Sequence, residues 1–213
     1  LQNYKNIIVI PDLHGGRDEY FAILKASKCV DAKLQWQAEN TCLVQLGDIC
    51  DRGYDSRSIY QHIAAMQAQA PAKNSKVLCL VGNHEVLNIV GLHQYTTQDE
   101  KNNFQTEDDP TPQALIRAFR PGGWVFNWIM QQTAMVQIGR IIFAHGDLPI
   151  ELMSQTVEQI NVKVMQAVKD FTVKGIEQLD PLLFEETHSI LWCRQASFGG
   201  SEYESKFSEF LDR

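Results

Sequence analysis

No apolar run in this 213-residue sequence approaches the roughly 20 residues that a membrane-spanning helix needs, so we expect no membrane span. The N-terminus has neither an initiator methionine nor the pattern of a secretory signal, because its first apolar run is short and ends at Pro11. No basic run is present, and the net charge of −7 opposes binding to nucleic acid. These absences predict a globular chain without a membrane span and without a nucleic-acid partner.

No C-x-x-C pair occurs, which argues against a zinc finger or a disulfide framework. We therefore interpret the cysteines as reduced thiols of the core, an arrangement typical of cytoplasmic proteins. They are Cys29, Cys42, Cys50, Cys79 and Cys193. The length suffices for one sizeable core, and no linker, repeat or low-complexity tract divides it, so we predict a single domain over residues 1–213.

Strand and helix signals alternate through the first two-thirds of the chain, which predicts an α/β fold. Strands are predicted at 7–10, 42–46, 77–81, 133–138, 140–144 and 190–194. Helices are predicted at 20–24, 58–66, 121–129, 156–173 and 202–212. Residues 96–111 are polar and are predicted to form a surface loop or a mobile lid. Trp124 and Trp128 are predicted to pack in the core.

A short polar motif follows each of four predicted strands. Strand ends converge at one edge of an α/β sheet, so these motifs should become neighbours. They are Asp12-x-His14-Gly15, Gly47-Asp48-x-x-Asp51-Arg52-Gly53, Gly82-Asn83-His84-Glu85 and His145-Gly146.

The donor types in these motifs suit divalent cations. Asp12 and His14 point the same way from an extended chain and can hold one ion. The carboxylate of Asp48 can bridge two ions, and Asn83 and His145 offer an oxygen and a ring nitrogen to the second. Oxygen and imidazole donors without thiolate suit Mn²⁺, Fe or Zn²⁺. Two ions about 3.5–4 Å apart would clamp a phosphoryl group and generate hydroxide at neutral pH.

Three further residues fit roles in phosphoester hydrolysis. His84 follows a predicted ligand and should point elsewhere, towards the leaving group, while Asp51 is placed to orient its ring. Arg52 supplies a planar donor for phosphate. His84-Glu85-x-x-Asn88 is not the zinc-protease motif H-E-x-x-H, because Asn88 replaces the second histidine.

The four motifs resemble those of the phosphoprotein phosphatase branch of the calcineurin-like metallophosphoesterases. Leu191-Trp192-Cys193-Arg194 further resembles the bacterial-type, Shewanella-like subgroup, and the resemblance spans nearly the whole chain. It implies a four-layer α/β/β/α sandwich that hydrolyses phosphate monoesters by direct attack of metal-bound hydroxide.

The resemblance also implies residue roles. Two divalent ions are expected, with Mn²⁺ favoured over Fe or Zn²⁺. The first would be held by Asp12, His14 and Asp48, and the second by Asp48, Asn83 and His145. His84 and Asp51 would form the acid dyad, and the substrate would be contacted by Arg52, Arg194 and Asn83.

The chain departs from the family pattern at three places. Pro11 replaces the first glycine of G-D-x-H-G, and Asp147 replaces the second glycine of H-G-G, where it either tunes the site or faces solvent. A last histidine ligand, expected in a V-G-H-T-like segment after Leu191–Arg194, does not occur. His188 precedes that region and, like His62 and His93 on predicted helical stretches, is interpreted as an ordinary histidine.

The missing ligand leads to an expectation about the ends of the chain. We expect the natural protein to continue beyond Arg213, with the last histidine on C-terminal strands that this sequence lacks. The sheet would then have an exposed edge through which chains could associate.

The favoured function is a protein phosphatase acting on phosphoserine or phosphothreonine, with phosphotyrosine as an alternative. The alternative is hydrolysis of dinucleoside polyphosphates or other small phosphoesters. Asp51 and Glu85 favour the protein phosphatase, because small-molecule hydrolases of the resembled family often have other residues at these two positions. A phosphoprotein-binding scaffold with weak turnover is the third possibility. The expected location is the cytoplasm, with secretion into a host cell as a bacterial effector as the alternative.

Overall fold

The computed structural model describes residues 4–174, 180–198 and 200–212. Its central element is a parallel sheet of β1 (Asn6–Ile10), β2 (Thr41–Gln45) and β3 (Lys76–Cys79), in that order. Ile10 lies opposite Gln45, and Gln45 opposite Cys79, so the carboxyl ends of the three strands share one edge. Every residue of β2 is buried because apolar groups cover both of its faces.

A hairpin forms the second sheet. It consists of β4 (Met135–Ile138) and β5 (Ile141–Ala144), joined at Gly139, whose φ of 61° suits a glycine turn. An isolated parallel bridge between Leu80 and Thr133 connects the end of β3 to the start of the hairpin. The two sheets face each other across a small apolar cluster. The cluster contains Cys42, Val44, Leu80, Val136, Ile138 and Phe143.

Helices enclose the larger core, with the helix Ser56–Gln69 packed against β3 of the parallel sheet and the helix Val157–Lys174 packed against β4 of the hairpin. They are α1 (Arg17–Ala26), α2 (Ser56–Gln69), α3 (Asn83–Ile89), α4 (Gln98–Phe104), α5 (Ala114–Phe119), α6 (Trp124–Ile129), α7 (Val157–Lys174), α8 (Pro181–Phe184), α9 (Gln195–Phe198) and α10 (Ser201–Leu211). This core includes Ile10, Tyr20, Leu43, Ile59, Ile63, Val164 and Val168. The predicted α/β fold is confirmed, as is the interpretation of the five cysteines as buried free thiols. Among the described helices, none has the length and apolarity to cross a bilayer.

The prediction of a loop over residues 96–111 is wrong in its first half, where α4 lies. Thr97 caps this helix by accepting a hydrogen bond from the N–H of Glu100 at 3.1 Å, and Phe104 anchors its other end in the core. The polar composition was misleading because Glu100 is completely buried rather than solvated.

The predicted strand at 190–194 is also wrong. Trp192 and Cys193 donate backbone hydrogen bonds to Ser189, which closes a turn, while Ile190, Leu191 and Cys193 are buried. A short apolar run does not distinguish a strand from a buried turn. Trp128 packs against the core as predicted, whereas Trp124 is 41% exposed at its rim.

Candidate active site

Side chains from three strand ends converge on one oxygen of Asp48, which lies just beyond β2. Its Oδ2 lies 3.7 Å from Nε2 of His14, 3.9 Å from Nε2 of His84 and 3.5 Å from Nε2 of His145. Its Oδ1 accepts the backbone N–H of His84 at 2.9 Å, which fixes the carboxylate. The four predicted motifs therefore meet, three of them at the ends of β1, β2 and β3 and the fourth at the end of β5 in the second sheet.

Asn83 and His145 form one side of this cluster. Nδ1 of His145 lies 2.9 Å from the carbonyl of Leu46, to which it donates, so Nε2 carries the lone pair. Oδ1 of Asn83 lies 2.8 Å from that Nε2 and 3.2–3.3 Å from both oxygens of Asp48. The Asn83 oxygen, the His145 nitrogen and the Asp48 carboxylate are thus three hydrogen-bond acceptors that face one another. Either the amide is turned so that its NH₂ group donates to the other two, or a cation lies between them.

Asp12 lies at the exposed rim of the cluster. Its Oδ2 is 4.0 Å from Nε2 of His14, and its Oδ1 is 3.7 Å from Nδ1 of His145. Two groups of potential ligands overlap at Asp48, with all donor atoms of each group within 4.8 Å of one another. One group is His14, Asp48 and His84, and the other is Asp12, Asp48 and His145.

The electrostatics of these groups also fit a cation. Burial raises the pKa of Asp48, and the negative charge of Glu85 raises it further. Burial lowers the pKa of His14 and of His145, which favours the neutral rings, whose unprotonated nitrogen can act as a ligand. The charge of Arg52 offsets these effects only in part, so the site still disfavours the ionised carboxylate, and divalent ions would stabilise it. The donor set therefore fits the metals that the sequence predicts.

A second constellation centres on Asp51, which is completely buried. Its Oδ2 accepts from Nδ1 of His84 at 2.7 Å and from Nδ2 of Asn88 at 2.9 Å, and its Oδ1 accepts from the hydroxyl of Thr96 at 2.7 Å. Burial raises the pKa of Asp51, but the hydrogen bonds from these three groups outweigh it and hold the pKa below its ordinary value. A permanent carboxylate thus fixes the His84 ring with Nε2 facing Asp48.

Arg52 lies at the mouth of the cluster. Its Nη1 and Nη2 are 2.9 Å and 3.0 Å from Nε2 of His14 and of His84. The guanidinium also lies 5.8 Å from the centre of the Tyr95 ring. The backbone carbonyl of Tyr95 accepts a hydrogen bond from the backbone N–H of Arg52 at 2.9 Å. This planar donor pair therefore points into the same space as the imidazole nitrogens.

The loops that carry these residues adopt unusual backbone conformations. Asp48, Asp51 and Arg52 have φ values of 54°, 68° and 64°, in the left-handed region that disfavours side chains with a Cβ. Two glycines let the loops touch. A Cβ on Gly53 would lie 1.9 Å from the carbonyl oxygen of His14, and one on Gly82 would lie 2.2 Å from Oδ1 of Asp48.

Glu85 organises these loops, a role that the sequence analysis did not predict. Its carboxylate accepts backbone N–H groups of Asp48 and Ile49 at 2.8 Å and of Gly82 at 2.9 Å, and the hydroxyl of Tyr60 at 2.7 Å. The available signal was its place at the third position of a helix, where a glutamate can bond back to the residue before the helix.

Asn88 and His93 have contacts to which the sequence analysis gave no role. Asn88 supports Asp51, as described above, and its Oδ1 lies 2.9 Å from Nδ1 of His93. His93 is not helical, contrary to the prediction, but follows α3 in a non-helical segment. No sequence pattern connected either residue to the dyad, because the contacts depend on how the chain folds back after α3.

The remaining predicted residues lie at the periphery. Arg194 is exposed and donates to the carbonyl of Cys193 at 2.7 Å. A Cβ on Gly146 would lie 2.9 Å from Nη1 of Arg194, which places Arg194 on the His145 side of the site. Asp147 accepts the N–H of Ala196 at 2.9 Å, so its carboxylate joins the loop after His145 to the start of α9.

His62 and His188 lie outside the cluster, as predicted. His62 is half-buried, with its ring nitrogens 2.9 Å from the hydroxyl of Tyr20 and 2.8 Å from the carbonyl of Leu34. His188 is exposed beside Glu185, 3.1 Å away.

Comparisons with known proteins agree with this geometry. Shewanella-like protein phosphatase 1 of Plasmodium berghei (strain Anka) is 30% identical over 212 residues, which are 97% of this chain and 58% of that protein. Shewanella-like protein phosphatase 2 of Arabidopsis thaliana is 25% identical over 91% of this chain and 58% of its own length. The chain thus spans less than two thirds of the length of these relatives.

Solved structures show the same fold. The cold-active protein-tyrosine phosphatase of a psychrophilic Shewanella species superposes with a TM-score of 0.77 at 22% identity, over 97% of this chain and 61% of that one. A family model described as calcineurin-like phosphoesterase matches residues 5–210. With that match over nearly its whole length, the chain belongs to the calcineurin-like phosphoesterase family.

Proposed function

We propose that this chain is the catalytic part of a metal-dependent protein phosphatase that hydrolyses phosphate monoesters. The observation that carries the proposal is the position of Asp48 Oδ2, which faces His14, His84 and His145 at 3.5–3.9 Å. Membership of the family and similarity to proteins named as protein phosphatases support it. Phosphoproteins are the proposed substrates.

The proposed metal ligands are those that the motifs imply. Asp12, His14 and Asp48 would hold one divalent ion, and Asp48, Asn83 and His145 the other. Oxygen and imidazole donors without thiolate suit Mn²⁺, Fe or Zn²⁺, and manganese is the proposed metal because the family resemblance favours it. When bound, the two ions would polarise the phosphoryl group and activate the attacking water.

The other residues would act on the substrate. Nε2 of His84 would give a proton to the departing serine or threonine oxygen, since Nδ1 is engaged with Asp51. Asp51 would hold the ring in place and stabilise the imidazolium form. The two Nη atoms of Arg52 would bind two phosphoryl oxygens in place of the imidazole nitrogens that they now contact, with Arg194 and Asn83 as further substrate contacts.

The test compares substrates in the presence of Mn²⁺. Phosphate release is measured from phosphoserine, phosphothreonine and phosphotyrosine peptides and from diadenosine tetraphosphate. We expect the peptides to be preferred, and we expect His84→Asn to lose about 10²–10⁴-fold in kcat on a phosphoserine peptide while its metal content stays unchanged. His62→Asn is the matched control, because that ring contacts only residues away from the site.

Each remaining outcome supports a different function. Preference for the dinucleotide would indicate a small-molecule phosphoesterase on the same scaffold. Tight binding of phosphopeptides without phosphate release would indicate a binding protein.

A further inference from the structure

The segment from Tyr95 to Glu100 contacts the catalytic loop Asp51–Gly53 at every residue of that loop. The carbonyl of Tyr95 accepts the N–H of Arg52 at 2.9 Å. The hydroxyl of Thr97 donates to the carbonyl of Gly53 at 2.5 Å. Thr96 donates to the Asp51 carboxylate, as described above. This segment, which we call the 95–100 clamp, therefore holds the loop through both its backbone and its side chains.

Glu100 makes the innermost contact of the 95–100 clamp. It is completely buried, and both of its carboxylate oxygens lie 3.1 Å from the backbone nitrogen of Asp51. The hydroxyl of Ser56, at the start of α2, donates to the same carboxylate. A buried carboxylate costs free energy unless it is well bonded, so these contacts fix both Glu100 and its partners.

The backbone at Asp51 needs such a partner. Asp51 and Arg52 both have positive φ, a strained conformation for residues with a Cβ that persists only where the surroundings enforce it. The orientation of this peptide decides where two side chains point, namely the Asp51 carboxylate towards His84 and the Arg52 guanidinium towards the site. Glu100 binds the backbone N–H of Asp51, the first residue of this turn, with both carboxylate oxygens.

We propose that Glu100 is a positioning residue of the reaction, which aims Asp51 at His84 and Arg52 at the phosphate by holding the backbone N–H of Asp51. The proposal rests on the proposed phosphatase activity for its kinetic consequence, but its geometric content does not depend on turnover.

The test uses Glu100→Gln and Glu100→Ala, with Asp99→Asn as the matched control. Asp99 is the neighbouring acidic residue in the first turn of α4, but it is exposed. Glutamine keeps one oxygen that can accept from Asp51 and Ser56, so it should rescue part of the loss that alanine causes.

The first measurement is kinetic and compares a phosphoserine peptide with p-nitrophenyl phosphate, whose leaving group needs no proton. A misaligned dyad should cost up to about 10²-fold in kcat on the peptide and much less on the aryl ester, since a displacement of about 1 Å can cost that much. Inhibition by inorganic phosphate should weaken as well, because Arg52 shares the loop. An equal loss on both substrates with unchanged phosphate inhibition would overturn the proposal and leave Glu100 a purely structural role.

The second measurement does not require turnover. The Nδ1 proton of His84 is protected from exchange with solvent by its hydrogen bond to Asp51. It should give a slowly exchanging imidazole signal in ¹⁵N–¹H NMR spectra of the wild-type chain and of Asp99→Asn. We expect that signal to shift or to exchange faster in Glu100→Gln, while the other signals of the spectrum remain those of a folded protein. If the wild type releases no phosphate from any substrate, the proposed function fails and this signal still decides the role of Glu100. An unaltered His84 signal in Glu100→Gln would refute the positioning role.

Discussion

Replacing Asp51 with asparagine tests the acid dyad most directly. Asparagine has nearly the same shape, and its amide oxygen can still accept from Nδ1 of His84 and from Asn88. The hydroxyl of Thr96, which now donates to Oδ1, can rotate to accept from the new NH₂ group. The substitution therefore removes the negative charge while it leaves the packing of this buried site largely intact.

The size of the effect follows from the distance between the groups. Nδ1 of His84 and Oδ2 of Asp51 are 2.7 Å apart, which puts the centres of the two charges at about 4 Å in the imidazolium form. Their attraction at an effective dielectric constant of about 20 is about 4 kcal/mol. A neutral hydrogen bond retains about 1 kcal/mol of this, so the loss is about 3 kcal/mol, or about 10²-fold in rate.

The assay measures kcat/KM of Asp51→Asn on a phosphoserine peptide and on p-nitrophenyl phosphate with Mn²⁺. We expect the loss of about 10²-fold on the peptide only, because nitrophenolate leaves without a proton. Asp55→Asn is the control. Asp55 is also buried and caps α2 by accepting from the N–H of Ser58, a task that asparagine performs equally well. The ratio of kcat/KM on the peptide to kcat/KM on p-nitrophenyl phosphate should be the same for Asp55→Asn as for the wild type.

Acid stability gives an independent check on the same residue. The pKa of Asp51 lies below its ordinary value, so the ionised group contributes stability that is present above the unfolded pKa and is lost as the pH falls through the folded pKa. The difference in unfolding free energy between wild type and Asp51→Asn should therefore shrink on acidification. Equal losses on both substrates, with metal content intact, would refute the assignment of Asp51 to the dyad.

Three further predictions concern other parts of the site. Asp48→Asn should lose most of the bound metal as well as activity, because one carboxylate serves both proposed ligand groups; full metal content by elemental analysis would contradict this. Arg52→Lys should weaken inhibition by inorganic phosphate together with kcat/KM, since an ammonium group cannot match two oxygens in one plane; unchanged inhibition constants would argue against the contact. Burial raises the pKa of Glu100 to about 7 from 4.5, and the charges of Asp51 and Glu85 raise it too, whereas the Ser56 hydroxyl lowers it. The wild type should thus lose stability as the pH rises through that range, by up to about 3 kcal/mol relative to Glu100→Gln, and urea unfolding at pH 5 and pH 8 that shows parallel curves would contradict this.

The convergence of Asp12, Asp48, Asn83 and His145 could be predicted from the sequence because it follows from a general rule. Asp12, Asp48 and Asn83 follow β1, β2 and β3 within a few residues, and these parallel strands end at one edge. His145 follows β5 of the antiparallel hairpin, and it reaches the same edge because the two sheets face each other. The pairing of His84 with Asp51 followed from a motif resemblance and from the chemistry of imidazole. Local patterns sufficed wherever the side chain lies within a few residues of the element that positions it.

The supporting residues could not be predicted in this way. Glu100 lies 49 positions from Asp51 in a polar stretch, and composition alone assigns such a stretch to the surface. Its burial depends on where α4 packs, which is a tertiary contact. The prediction of a strand at 190–194 failed for the opposite reason. Its apolar residues are buried, but its backbone forms local hydrogen bonds to Ser189.

The hydrogen bond from His145 to the carbonyl of Leu46 joins residues 99 positions apart. Contacts between such distant residues form slowly, because a long loop must close before they are made. The first quarter of the chain contains Asp12, His14 and Asp48. His145 directly follows the β4–β5 hairpin, much later in the sequence. During synthesis, the proposed ligands of the first ion would thus emerge well before the proposed ligands of the second are complete. Uptake of the second ion would therefore report on completion of the fold, and a partly folded chain could hold one ion without having an assembled active site.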